Sequence, residues 1–302
     1  MIRVLGTIFA AMLGLAFGSF LNVCASRWPA GESIVRPRSH CRFCAHTLAW
    51  WENVPLASWL ALGGRCRSCR RWIGWRYPLA ELAVGVLWAI SAWRFFAMAL
   101  DPRASAALVV YELAMTAGAF LFLWLLTALA VLDAEHLWLP DKLTLSGAAL
   151  GYLFFLGQLF SAPKLASFTG LALTAGMENE RWGLYGIAGQ RLLAMLAAAG
   201  LVLFFRWTYW LLRRREGVGL GDAKLMAMLA AWLGLPGALV AFVLGVALGF
   251  LAALATLAIF AGQRKSWAAA RLPLGAFLCI GGAVSSLWGQ RIVALYMRWC
   301  GF

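Results

Sequence analysis

Acidic residues are scarce in this 302-residue chain: 12 Asp and Glu stand against 26 Lys and Arg, a formal charge of +14, and charged residues of both signs make up only 13%. A soluble globular protein carries about 25%, so a water-soluble enzyme is excluded. Histidine is scarcer still. Of the three, His40 and His46 flank a cysteine pair and only His136 stands elsewhere, which leaves a Ser-His-Asp hydrolase poorly supplied. No G-x-x-x-x-G-K-[ST] stretch and no Gly-rich turn in a strand-turn-helix context is present, so a phosphate-binding loop is excluded. Neither an internal repeat nor a low-complexity tract stands out. The chain is filled instead by apolar residues, 63% of the total with 14% aromatic, which excludes disorder, collagen and coiled coil. The positive charge then bears first on membrane topology and anionic lipid, and no nucleic-acid partner is expected.

Segments long enough to span a hydrocarbon core, about 20 residues, occur near 4–24, 78–100, 107–132, 143–160, 184–212, 237–262 and 273–297. A shorter one runs over 223–235, parted from its successor by Leu233-Gly234-Leu235-Pro236-Gly237, which reads as a tight turn. The expected fold is an all-α polytopic membrane protein of about eight transmembrane helices. The start resembles a signal peptide in its apolar run, but Gly18-Ser19-Phe20-Leu21-Asn22 offers no A-x-A cleavage site, so it reads as a retained helix. Residues 25–77 hold nine arginines against Glu32 and Glu52, and the positive-inside rule places them in the cytoplasm. Alternation from there puts 132–143, 213–222 and 263–272 on the same side and 161–183 outside, with Met177-Glu178-Asn179-Glu180 reading as a solvated loop and Leu165 to Ala175 able to dip into the interface. The expected organisation is a first transmembrane helix over 1–24, a cytoplasmic subdomain over 25–77 and a membrane-embedded domain over 78–302.

Four of the seven cysteines form two C-x-x-C pairs, Cys41/Cys44 and Cys66/Cys69, separated by 21 residues. That is a zinc-ribbon spacing, and the reducing cytoplasm disfavours disulfides there. Four thiolates close the coordination sphere and leave no position for water, so the expected role is a structural clip. His40 and His46 read as neighbours of this cluster. Cys24, Cys279 and Cys300 read as small buried hydrophobes.

Three acidic residues, Asp133, Asp141 and Asp222, lie beside apolar helices on the side assigned to the cytoplasm. Carboxylates at a membrane boundary are costly to bury and point to function, although Asp141 and Asp222 could each simply cap the helix that follows. Two carboxylates brought together cannot both ionise at neutral pH, which leaves one as acid and one as base, the aspartic-protease arrangement. Gly217, Gly219 and Gly221 before Asp222 permit positive φ and a close backbone approach by an extended substrate. His136, three residues past Asp133, could tune its surroundings.

These residues resemble the bacterial prepilin peptidases, or type IV leader peptidases, membrane aspartyl proteases of the GxGD type. The resemblance runs through Gly18-Ser19-Phe20-Leu21-Asn22-Val23 and the Cys41–Cys69 block with Trp51-Glu52-Asn53-Val54-Pro55. It continues through Arg76-Tyr77-Pro78-Leu79-Ala80-Glu81-Leu82, Asp133 to Asp141, Glu216 to Leu225 and Leu272-Pro273-Leu274-Gly275-Ala276-Phe277. It implies eight transmembrane helices, a zinc-bearing cytoplasmic subdomain, and catalytic Asp133 and Asp222 supported by Gly219, Gly221 and Lys224. It also implies substrates that are type IV prepilins and type II secretion pseudopilins, cut at the inner membrane's cytoplasmic face after a short basic leader. Methylation of the new N-terminus with S-adenosylmethionine is implied as well, without a recognisable binding fingerprint. The choice of Asp133 over Asp141 comes from the resemblance alone. The closing motif departs from the family, with Leu274 in place of an aromatic and Ala276 in place of proline.

A basic leader calls for acidic contacts, for which Glu32, Glu52, Glu135 and Glu216 are candidates, while Arg65, Arg67, Arg70 and Arg71 would meet anionic lipid headgroups. Taken apart from the resemblance, broken apolar helices with aspartates also suit a proton- or ion-coupled transporter. A membrane thiol oxidoreductase using the C-x-x-C pairs is a third reading.

Overall fold

The computed structural model describes residues 1–169, 180–214, 219–261 and 272–300. Long helices dominate them: α1 (Ile2–Arg27), then a 3₁₀ turn (Trp50–Asn53) and the short α2 (Ala57–Ala61), α3 (Arg76–Ala99), α4 (Ala106–His136), α5 (Asp141–Thr169), α6 (Glu180–Arg213), α7 (Leu220–Ala261) and α8 (Leu274–Trp299). Among the described residues there is no strand, only two isolated bridges. Among the described residues six helices, α1, α3, α4, α6, α7 and α8, are long and apolar enough to cross a membrane; the chain is a multi-pass membrane protein. Helix α5 is not among these six. The outward segment 161–183 is helical through Thr169 and from Glu180; the expected loop at 177–180 falls almost wholly in 170–179, which lie outside the described residues.

The chain falls into two compact units, residues 1–131 and 132–302. In the first, α1 and α3 pack antiparallel with almost no side chain between them. A Cβ on Gly14 would lie 2.9 Å from the Gly85 Cα, and one on Gly18 would lie 2.5 Å from the Glu81 Cα. Gly6, Ala10, Gly14 and Gly18 recur every fourth residue, the small-residue stripe by which membrane helices bring their backbones together. Helix α4 joins this pair through Trp88, stacked on Phe120 at 4.4 Å and donating from Nε1 to its carbonyl, and through Trp124, which donates to the Phe17 carbonyl.

Residues 28–75 hang between α1 and α3 and are tied to both. The buried Arg27 at the end of α1 donates to the carbonyls of Ser33 and Pro37, and the buried Glu81 of α3 accepts the Leu56 N–H at 2.8 Å. A tryptophan cluster of Trp59, Trp72 and Trp75 supplies the apolar contact.

In the second unit the break expected at residues 233–237 is present. Gly234 has φ 72° and ψ 174°, inside a stretch otherwise continuous in its hydrogen bonding, with Pro236 just beyond. The chain turns back on itself there. Gly221 and Gly275 share Leu139 as a neighbour while Gly245 abuts Leu278, yet a straight helix would carry residues 221 and 245 about 36 Å apart. The eight expected segments are therefore the seven long helices with α7 divided in two. The reversal frees carbonyls, and Arg191 of α6 donates from Nη1 to that of Ala230, held also by stacking over Phe155 at 3.9 Å. A Cβ on Gly234 would lie 2.9 Å from that Nη1. Gly234→Ala, which forces a side chain into the left-handed region as well, is expected to cost about 1–2 kcal/mol, read as a lower Tm in detergent; an unchanged Tm would show that the turn relaxes freely.

The first half of α7 runs parallel to α5, with Gly147 against Met228 and Trp232 donating to the Gly147 carbonyl at 2.8 Å. The second half runs antiparallel to α8, fixed by Ser285 donating to the Gly237 carbonyl at 2.7 Å. Both arrangements bring the starts of α5, α7 and α8 to one end of this unit.

Candidate active site and metal centre

That shared end holds the acidic residues. Asp133 lies within the last turn of α4 rather than beyond it, and a carboxylate at a helix C-terminus faces the unfavourable end of the dipole. Its compensation comes from another helix. Asp133 Oδ2 accepts the Ala276 N–H at 2.8 Å, and the Gly275 N–H is directed at the same carboxylate, so it sits on the N-terminus of α8. Proline at 276 could not donate; the departure from the resembled motif supplies a hydrogen bond to Asp133.

Asp222 lies in the first turn of α7 and accepts the Gly219 N–H at 3.2 Å, half of a capping box. The capping role open to it in the sequence is thus real, but it does not exhaust the residue. Asp133 and Asp222 are both buried, near enough to interact electrostatically, and both act on the buried thiol of Cys279 in α8. One carboxylate on each of two helix ends, facing a common interior, is an arrangement that can share a proton.

The glycines serve differently from the expectation. Neither Gly219 nor Gly221 has positive φ, and α7 begins at Leu220; Gly217 lies outside the described residues. What matters is bulk. A Cβ on Gly221 would come 3.0 Å from the Leu139 Cβ, and one on Gly275 would come 2.9 Å from Asp133 Oδ2 and 2.8 Å from Leu139 Cδ1. Leu139 thus fills a notch between the glycine preceding Asp222 and the glycine preceding the donor to Asp133. Sequence reasoning passed over Leu139, Cys279 and the Ala276 N–H. The motif Leu139-Pro140-Asp141 and the closing Pro273-Leu274-Gly275 were visible, but only the fold joins positions 143 residues apart.

Asp141 is not part of the buried pair. It opens α5 and binds Lys224 at 2.6 Å. His136 does not reach Asp133 either; its Nε2 lies 3.6 Å from Glu135.

In the first unit the Sγ atoms of Cys41, Cys44, Cys66 and Cys69 all lie within 4.8 Å of one another, with Cys41–Cys69 and Cys44–Cys66 each at 3.9 Å. An ion bound tetrahedrally at about 2.3 Å to four sulfurs spaces them about 3.8 Å apart, so the donor set fits a four-cysteine metal centre. Each pair sits in the same local turn. The N–H of Cys41 bonds the His46 carbonyl and that of Cys66 the Arg71 carbonyl; Ala45 and Arg70 have φ 57°; and bridges close at His40/Thr47 and Arg65/Trp72. Every correspondence is a shift of 25 residues, a two-fold repeat the sequence disguises because Cys-Arg-x-Cys is all the halves share. Within the crowded cluster the Cys69 N–H aimed at its sulfur lowers the Cys66 thiol, while the neighbouring sulfurs raise that of Cys69.

Glu52 braces this cluster from within. Its Oε2 accepts the Ala49 N–H at 2.8 Å and lies 3.4 Å from His46 Nε2. The Ala49 N–H, aided by His46, holds its carboxyl below the usual carboxylate range despite burial. Being buried, Glu52 is withdrawn from the proposed contacts to a basic leader; Glu32 and Glu135 remain exposed, and Glu216 lies outside the described residues. Arg67 and Arg71 stand over Trp51 and Phe43. Cys24 and Cys279 are buried as expected, but Cys300 is exposed at the end of α8.

Two family models match the chain, the bacterial peptidase A24 N-terminal domain over residues 12–95 and the type IV leader peptidase family over residues 120–254. A prepilin leader peptidase/N-methyltransferase of Stutzerimonas stutzeri is 33% identical, over 96% of this chain and 93% of its own. The chain belongs to the type IV leader peptidase family. The enzymes of the same description from Pseudomonas aeruginosa and Xanthomonas campestris are 33% and 34% identical, covering 96% and 98% of this chain and 93% and 96% of theirs. No solved structure matches. Within this family the four-cysteine cluster falls in the part matched by the N-terminal model, and the two buried aspartates in the part matched by the peptidase model.

Proposed function

We propose that this chain is an aspartic endopeptidase that removes the short basic leader from type IV prepilins and type II secretion pseudopilins, with Asp133 and Asp222 as its catalytic pair. The observation that carries the reading is the meeting of these two buried carboxylates at one end of the second unit. The ionised member takes a proton from a water, whose hydroxide adds to the scissile carbonyl carbon. The protonated member meanwhile donates a hydrogen bond to the carbonyl oxygen. Collapse of the tetrahedral adduct breaks the C–N bond as the leaving amine takes up the proton, giving a carboxylate and a free amine. Gly219, Gly221 and Lys224 shape the approach to Asp222.

Both aspartates stand within a turn of a helix end, which supports action at a membrane face more than at the midplane, where transporter carboxylates lie. The arginines of 25–77, with the alternation of the apolar segments that follow in the sequence, support a cytoplasmic side for that face at the bacterial inner membrane, with the surrounding lipid anionic. The cysteine cluster is a structural zinc site, each cysteine supplying one thiolate; the ion would fold residues 28–75 and supply no reaction step. The relatives' names include N-methyltransferase, which extends the proposal to methylation of the new N-terminus with S-adenosylmethionine. Among the described residues no strand-turn-helix cradle fits such a donor.

Co-expression with a type IV prepilin tests the reading. Mass spectrometry should show leader loss with wild type and Asp141→Ala, and none with Asp133→Ala or Asp222→Ala. An intact prepilin beside wild-type protein in the membrane, for every pilin and pseudopilin offered, would refute it.

A further inference from the structure

We propose that the Asp141–Lys224 ion pair is a clasp that positions the catalytic aspartates, acting through Leu139. The inference rests on the reading of Asp133 and Asp222 as the catalytic pair. The turn that carries Leu139 is anchored at both ends. At its start the Leu137 N–H bonds the Asp133 carbonyl at 2.9 Å, with Leu137 at φ 49°, so the turn springs directly from the residue that bears one carboxylate. At its end Pro140 is buried, and Asp141 reaches across to Lys224, two residues past the other carboxylate. The clasp therefore spans from one aspartate's segment to the other's.

Between these anchors stands Leu139. It fills the notch formed by Gly221 and Gly275, and those glycines are chain neighbours of Asp222 and of Ala276, the donor to Asp133. A side chain held in that notch sets how far the start of α7 stands from the start of α8, and hence the separation of the two carboxylates. With the ion pair gone, the end of the turn is held only within α5, where the Pro140 carbonyl accepts the Leu143 and Thr144 N–H groups, and no longer to the start of α7, so Leu139 can withdraw. The pair itself is partly exposed, with side-chain exposures of 59% for Asp141 and 34% for Lys224. Exposed pairs contribute little to global stability, so its loss should disturb the geometry of the site without unfolding the chain.

The test uses the full chain in membranes with Asp141→Asn, Lys224→Gln, Leu139→Ala and the charge exchange Asp141→Lys with Lys224→Asp. On a cleavable prepilin the single variants are expected to lower kcat about tenfold, since small misplacements of reacting groups are costly, and to leave KM within about twofold. The exchange should recover most of the loss. A second readout needs no substrate: the maleimide labelling rate of Cys279, buried beside both aspartates, followed on its own peptide by mass spectrometry. It is expected to rise about tenfold, in proportion to the opening of the site, in the single variants and to fall back in the exchange. Wild-type kcat and wild-type labelling in Asp141→Asn would overturn the clasp, as would an exchange no better than the singles. If wild type itself cleaves no prepilin, the peptidase reading fails, and the labelling series still decides whether the clasp holds the site closed.

Discussion

Asp133→Asn and Asp222→Asn are each expected to lower cleavage by on the order of 10³-fold or more while the protein still accumulates in the membrane. The amide keeps the size of the carboxylate and an oxygen to accept the Ala276 or Gly219 N–H, so packing around Leu139 and Cys279 should survive. What disappears is the acid–base function, because an amide can neither take a proton from water nor deliver one. The double variant should be no worse than either single, since the two groups act as one unit. Retention of more than a tenth of wild-type activity in either single variant would remove that residue from the chemistry. The contrast with Asp141→Asn, about tenfold, separates a group that transfers protons from one that holds geometry.

Cys66→Ser is expected to reduce bound zinc from one per chain towards none. Structural zinc in small domains contributes about 10–16 kcal/mol of binding free energy, more than a 48-residue segment between Arg27 and Arg76 could replace with its own small core. Hydrogen exchange at the amides of residues 39–48 and 64–73 should then lose its protection, while the second unit keeps its own. The expected consequence is lower stability, or lost methylation, with leader cleavage retained. A Cys66→Ser protein that still holds one metal per chain would overturn the assignment of all four cysteines as ligands. One that folds normally and loses all proteolysis would overturn the purely structural role of the metal.

Much of the fold was legible because a bilayer imposes length and apolarity on each helix separately, and those are local properties of sequence. Most of the observed helices fall within a few residues of the expected spans, and the break at Gly234 announces itself through Gly-x-Pro. Local signals also gave the cysteine cluster, since each C-x-x-C pair is a turn in its own right. Contacts between distant segments were not legible. Nothing near Asp133 tells that its partner is the start of α8, and nothing near Leu139 tells that two glycines far along the chain make room for it. The stripe of Gly6, Ala10, Gly14 and Gly18 lies in plain view but acquires meaning only against α3. Glu52 looked like a surface acid available to a basic peptide because its burial depends on how the chain folds around Ala49 and His46. For the same reason, the use of Gly221 was not legible: the sequence allows it positive φ, whereas the fold uses its smallness against Leu139.

The reversal at Gly234 also bears on how this protein enters a membrane. Residues 220–233 make about 21 Å of helix, against a hydrocarbon core about 30 Å thick, and they carry Asp222 and Lys224. Such a segment is too short and too polar to be released into lipid by itself. Paired with the long apolar stretch that follows the turn, it can leave the translocon as a ready-formed hairpin whose two ends stay on the side where they were made. Asp222 would then never have to cross the bilayer during synthesis.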